Sequence, residues 1–191
     1  MIAARFLCFA ACLHLAAKKA FGVEIDQISL ADHLGVVLPL GYDSSELGGC
    51  GIKNIRFDQN ARLWGMNPVV SEINTILKAQ SPLECRFESI STFQDWEFEE
   101  RLAALTRSGC FPVACFDYNS LFGELVPNEQ GHCVTVDRIW RLNGHSVVEI
   151  HDPGPDRAGV KQVDCESLYY ACRKRHGGIW SLAPRSDEEG R

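Results

Sequence analysis

Between Gln130 and Pro153 the chain reads as two strand-like runs of alternating apolar and polar residues, separated by Leu142-Asn143-Gly144. Val134 and Val136 alternate with polar neighbours on the first run, as Val148 and Ile150 do on the second. Side chains two apart share a face, so His132 joins the valines of the first run and Asp152 joins the apolar face of the second. A two-residue turn at Asn143-Gly144 would set Thr135 opposite Asp152 and send His132 to the other face. A three-residue turn, with Gly144 left-handed, sets Val134 opposite Asp152 instead. The second register buries the apolar residues together and is the one expected. It leaves His132 and Asp152 as diagonal neighbours about 7–8 Å apart, within side-chain reach.

A histidine oriented by a carboxylate is half of a catalytic triad, and it needs a nucleophile. Cys50, in Leu-Gly-Gly-Cys-Gly-Ile-Lys-Asn, is the candidate. A Cys-Gly at a helix start, then Gly-His leading a valine-rich strand, then Asp-Pro-Gly after the next strand, resembles the papain-like cysteine peptidases. Within that superfamily the chain is most similar to the C39-like peptidases, over about Leu40 to Leu182. The resemblance implies an α+β fold in which a helical part carrying the nucleophile packs on an antiparallel sheet. It further implies a catalytic Cys50, His132 and Asp152, a peptide or protein substrate and no cofactor. Cys50 would attack the carbonyl to give an acyl-enzyme, His132 would hold and deliver the proton, and Asp152 would orient the ring.

Two features depart from that pattern. The family places a glutamine shortly before its cysteine to stabilise the oxyanion, and Tyr42 to Leu47 contains none. The helix expected after Cys50 carries Lys53, Asn54, Arg56 and Asp58, whereas the family's central helix is buried. Either departure fits a relative that is inactive or transfers its acyl group to another acceptor, as in the phytochelatin-synthase-like group. A disulfide-rich secreted binding module is the alternative from another class.

At 191 residues the chain is one domain's worth. A net charge of −6 and the lack of any basic stripe argue against a nucleic-acid partner. No Cys-x-x-Cys, glycine-rich phosphate loop or His-Glu-x-x-His is present, so neither a metal site nor a cofactor site is expected. Residues 1–22 read as a signal peptide: Arg5 leads an apolar run from Phe6 to Ala17 that is too short to span a bilayer. His14 and Lys18-Lys19 fit that reading poorly, and the alternative is a buried N-terminal helix. The first reading points to a secreted or extracytoplasmic protein and the second to a cytoplasmic one. The peptidase domain then spans 23–183 and a polar tail 184–191. If Cys8 and Cys12 leave with a leader, the other cysteines of the nine could supply one nucleophile and three disulfides. Otherwise Cys110, Cys115 and Cys133 serve as small apolar strand residues.

Helices are expected over 51–63, from Pro68 to a stop at Ser81-Pro82, from a Thr92 cap to Gly109, and from an Asp164 cap to Gly177. Strands are expected at 87–90, 110–117 and 178–182, with a loop from Tyr118 to Gln130.

Overall fold

Helix α1 (Cys8–Phe21) is the apolar run itself, and it lies inside the domain. Its Ala10, Cys12, Leu13 and Ala17 are fully buried, and Gly22, left-handed at φ 67°, ends it. In this structure the run read as a leader forms a buried helix. His14, the polar residue that sits oddly in it, is buried and bonds the Ile25 carbonyl through Nδ1 at 2.7 Å. The structure, a computed structural model, describes residues 6–61, 64–123, 131–155, 158–175 and 177–185. The end of the expected polar tail, 186–191, and the loop residues 124–130 lie outside these.

After α1 come α2 (Gln27–Leu34), β1 (Val36–Leu38), α3 (Ser45–Gly49), β2 (Ile55–Phe57) and β3 (Gly65–Met66). They are followed by α4 (Val70–Gln80), β4 (Leu83–Ser89), α5 (Asp95–Arg107), β5 (Val113–Phe116) and α6 (Tyr118–Phe122). The chain closes with β6 (His132–Leu142), β7 (His145–Asp152), β8 (Gly159–Asp164), α7 (Cys165–Lys174) and β9 (Gly178–Pro184). Strands β4-β9-β5-β6-β7-β8 make one antiparallel sheet, and β2-β1-β3 a small second one. The fold class is α+β.

The large sheet separates two apolar layers. On one face Leu13 and Ala17 of α1 pack with Ile73 and Leu77 of α4 against Val113, Trp180 and Leu182. On the other, Phe98 and Leu102 of α5 and Leu168 of α7 meet Val134, Val136, Val148 and Ile150. Each fully buried leucine or isoleucine in these layers stabilises the fold by roughly 1.5–3 kcal/mol.

No helix forms over the described residues of 51–63. Asp32 accepts from the Lys53 and Asn54 backbone N–H groups at 2.6 and 2.8 Å, which draws the chain into β2 beside β1. Gly51, at φ 97°, cannot continue a right-handed helix there. Helix α4 starts at Val70, not at Pro68, and Gln94 caps α5 in place of Thr92 through a capping box with Glu97. The stop at Ser81 holds, as does the Asp164 cap, whose carboxylate accepts the Ser167 N–H at 2.8 Å. The polar edge strand β8 has no counterpart among the expected elements.

Candidate active site

The hairpin reaches its functional register by a different route from the one expected. Asn143 and Gly144 both have positive φ, 50° and 85°, and Leu142 pairs His145: the connection is the two-residue turn. A bulge between Val136 and Arg138 then shifts the pairing by one residue, so that Val136 faces Ile150 and Thr135 faces His151. The anticipated face is restored beyond the bulge, where Val134, Val136, Val148 and Ile150 share one buried layer. The intervening Asp137 is bound by Lys19 of α1, Nζ to Oδ2 at 2.6 Å.

His132 and Asp152 therefore meet, with Nε2 to Oδ1 at 2.6 Å. The Asp152 side chain is fully buried. Its Oδ1 also accepts the Gly154 N–H at 2.9 Å, and its Oδ2 accepts from Lys161 Nζ at 2.5 Å. Lys161 arrives from β8, paired with Ile150 of β7. Phe116 and Tyr118 stand edge-on to the imidazole at 5.8 and 5.6 Å and hold it in place. Burial opposes the carboxylate charge, but His132, Lys161 and the Gly154 N–H outweigh it and hold Asp152 down to about 2.

The sulfur delivered to this pair is that of Cys8, and Cys50 is not part of the site. Cys50 caps the C-terminus of α3 and is exposed. Cys8 is the first residue of α1 and half-buried, and its thiol lies near enough to His132 and Cys133 for both to act on its titration. With Nε2 committed to Asp152, Nδ1 is the ring nitrogen that remains for the thiol. The helix puts Cys8 there because α1 runs alongside β6 in the same direction. Its far end is pinned at Lys19–Asp137. Eleven helical residues span about 16 Å; five strand residues, from Asp137 back to His132, span about the same.

The electrostatics follow from this placement. The neighbouring Cys133 pulls the Cys8 thiol down; burial opposes it, and His132 adds to the pull, leaving Cys8 well below an ordinary thiol. The start of α1 contributes partial positive charge to the same sulfur. Burial disfavours the imidazolium, yet Asp152 and Cys8 outweigh it and raise His132 to about 10. The resting state this implies is a thiolate–imidazolium pair. Site-resolved alkylation by iodoacetamide is expected to modify Cys8 far below pH 9.0, the ordinary thiol value, and to change again near pH 10 as His132 deprotonates. Cys85 and Cys165, pushed by burial up to about 12, are expected to stay silent. A Cys8 profile rising only near pH 9.0 would exclude the ion pair.

Sequence reasoning missed Cys8 because the segment looked removable, and missed Lys161 because β8 is short and polar. The signal for Cys8 was present as a cysteine opening an apolar helical run. All nine cysteines are free thiols, so the three-disulfide framework is not formed; Cys12, Cys85, Cys133, Cys165 and Cys172 are buried as small apolar residues. Among the described residues no group of three or more His, Cys, Asp or Glu side chains converges as a metal site. Among them, too, no helix is long and apolar enough to cross a membrane. Neither a comparison with models of known protein families nor a search of curated proteins finds a match for this chain.

Proposed function

We propose that the protein is a papain-like thiol hydrolase of the C39-like kind, which cleaves a peptide or related amide bond through an acyl-enzyme. Cys8 is the nucleophile, His132 the proton carrier and Asp152 the group that orients the ring. The observation that carries this reading is the convergence of a helix-start cysteine on a histidine whose other nitrogen is bonded to a buried aspartate at 2.6 Å. The order of parts, buried helix first and antiparallel sheet after, agrees with the papain plan.

Assigning Cys8 removes one departure from the family pattern, because α1 supplies the buried helix that the polar stretch after Cys50 could not. The other stands: residues 1–7, ahead of Cys8, hold no glutamine. The first-turn N–H groups of Cys8, Phe9 and Ala10 have no acceptor within the helix. The Cys8 N–H is the natural donor to the oxyanion formed as the thiolate attacks. The imidazolium then gives its proton to the leaving amine, and a water activated by the neutral ring hydrolyses the thioester.

The test is covalent capture. A peptidyl electrophile that traps activated thiols, followed by peptide mapping, is expected to mark Cys8 alone among the nine cysteines, and the mark is expected to disappear in His132→Ala. Labelling spread over the exposed thiols, or centred on Cys50, would overturn the proposal. The acyl-transferring relative remains the second reading, since the same three residues serve any acceptor. Turnover with added amines against water separates the two.

A further inference from the structure

Three thiols besides the nucleophile gather beneath the site. Cys133 follows His132 directly and lies in the packed layer against which Cys8 sits. Cys115 lies opposite Cys133 on the neighbouring strand, Sγ to Sγ at 2.8 Å. Cys12 is one helical turn beyond Cys8 in the same packed layer. Residues directly opposite on antiparallel strands have Cα atoms about 4.5–5.5 Å apart, which is inside the window of about 4.4–6.8 Å that a disulfide requires. The papain-type mechanism uses none of these three sulfurs.

We propose that Cys133, backed by Cys115, is a resolving thiol for the nucleophile, so that an oxidised Cys8 is captured as a reversible disulfide instead of being lost. The proposal rests on Cys8 being a reactive thiolate, as read above. The oxidant is a peroxide. The Cys8 thiolate attacks one peroxide oxygen and breaks the O–O bond, giving Cys8 sulfenic acid and hydroxide, which takes the His132 proton and leaves as water. Cys133 then attacks the Cys8 sulfur; its proton passes by way of His132 to the departing hydroxide, and the products are the Cys8–Cys133 disulfide and a second water. Two electrons leave the two sulfurs and reduce one peroxide. Cys115 can next attack the Cys133 sulfur, transferring the disulfide to the Cys115–Cys133 pair and freeing Cys8.

Access and charge favour this order. Cys8 is half-buried beside a His132 side chain that is 16% exposed, whereas Cys133 is buried beneath it. An oxidant therefore meets Cys8 first. The neighbouring Cys115 and Cys8, with burial, keep Cys133 protonated while Cys8 is a thiolate. Conversion of Cys8 to a neutral sulfenic acid removes the second of these restraints. The Arg175 guanidinium, packed on Gly131, bears on Cys133, Cys115 and Cys8 and favours the thiolate that must attack.

The experiment treats the full chain with limiting hydrogen peroxide, blocks remaining thiols and maps the peptides before and after dithiothreitol. The wild type is expected to yield a peptide pair joined through Cys133, to Cys8 or to Cys115, that dithiothreitol separates. In Cys133→Ala the expected product is Cys8 sulfinic acid, which dithiothreitol does not reduce. Cys115→Ala should confine the bridge to Cys8–Cys133. Equal sulfinic acid in wild type and Cys133→Ala would overturn the proposal, as would a wild-type map lacking any Cys133 bridge; the latter needs no variant to fold. The readout requires no turnover. A chain that hydrolyses nothing yet forms the bridge would defeat the hydrolase reading and leave this one standing.

Discussion

Cys8→Ala is expected to abolish hydrolysis of any substrate the protein cleaves, while Cys50→Ala leaves kcat/KM unchanged. Loss of the nucleophile in a serine protease triad costs on the order of 10⁶-fold in kcat, and a fall of at least about 10⁴-fold is the expectation here, because binding and oxyanion contacts alone leave a residual of about 10³–10⁴ over water. The contrast is informative because the two cysteines differ in everything that makes a thiol reactive. Cys8 opens a helix of 14 residues and acts on an imidazole raised to about 10; Cys50 closes a helix of 5 residues at its negative end, exposed to solvent. Removing one sulfur atom from Cys8 leaves the neighbouring Leu13 and Ala17 packing untouched, so circular dichroism should show an intact fold. A fluorogenic peptide panel measures the effect. Equal activity of the Cys8→Ala protein and the wild type would end the enzymatic proposal.

Asp152→Ala is expected to reduce both activity and stability. In the folded protein this carboxylate binds His132, Lys161 and the Gly154 N–H with no access to water. Its removal strands a lysine that is only 29% exposed and frees the imidazole to rotate. Breaking a buried ion pair by deleting one partner costs about 3–5 kcal/mol; the partial exposure of Lys161 places the expected loss near the lower end, about 3 kcal/mol in urea unfolding. A further fall of about 10²–10⁴-fold in kcat is expected from the lost ring orientation. The pH dependence follows from a group whose ordinary value of 3.8 is lowered to about 2 in the fold. Its stabilisation, about 2 kcal/mol, is complete above pH 3.8 and is lost as pH falls toward 2. Asp152→Asn should flatten that acid limb. Adding Lys161→Met to Asp152→Ala should recover part of the stability, because no unpaired ammonium remains. An Asp152→Ala protein as stable as the wild type, with an unchanged acid limb, would show that the carboxylate is not the buried hub described here.

Some of this was legible in the residues alone. Strand periodicity is local, so the alternation of Val134, Val136, Val148 and Ile150 was enough to place His132 and Asp152 on one face. The turn type was not legible, because the bulge that reconciles an Asn-Gly turn with that face is held by Lys19, 118 residues away from Asp137. Helix caps were readable where a short polar side chain bonds a nearby N–H, as at Asp164. They failed at Thr92, where a Gln94–Glu97 pair competes successfully.

The sequence by itself determined the half of the site made within one hairpin: a histidine and an aspartate brought together by alternation that buries their apolar neighbours. Only the tertiary structure decided which of nine sulfurs joins them. That choice depends on how a helix from the start of the chain docks across strands formed more than a hundred residues later, and an apolar run looks the same whether it is buried in a core or in a membrane-targeting leader. Matching 1.5 Å per residue in α1 against about 3.3 Å per residue in β6, with Lys19 pinned to Asp137, brings Cys8 level with His132.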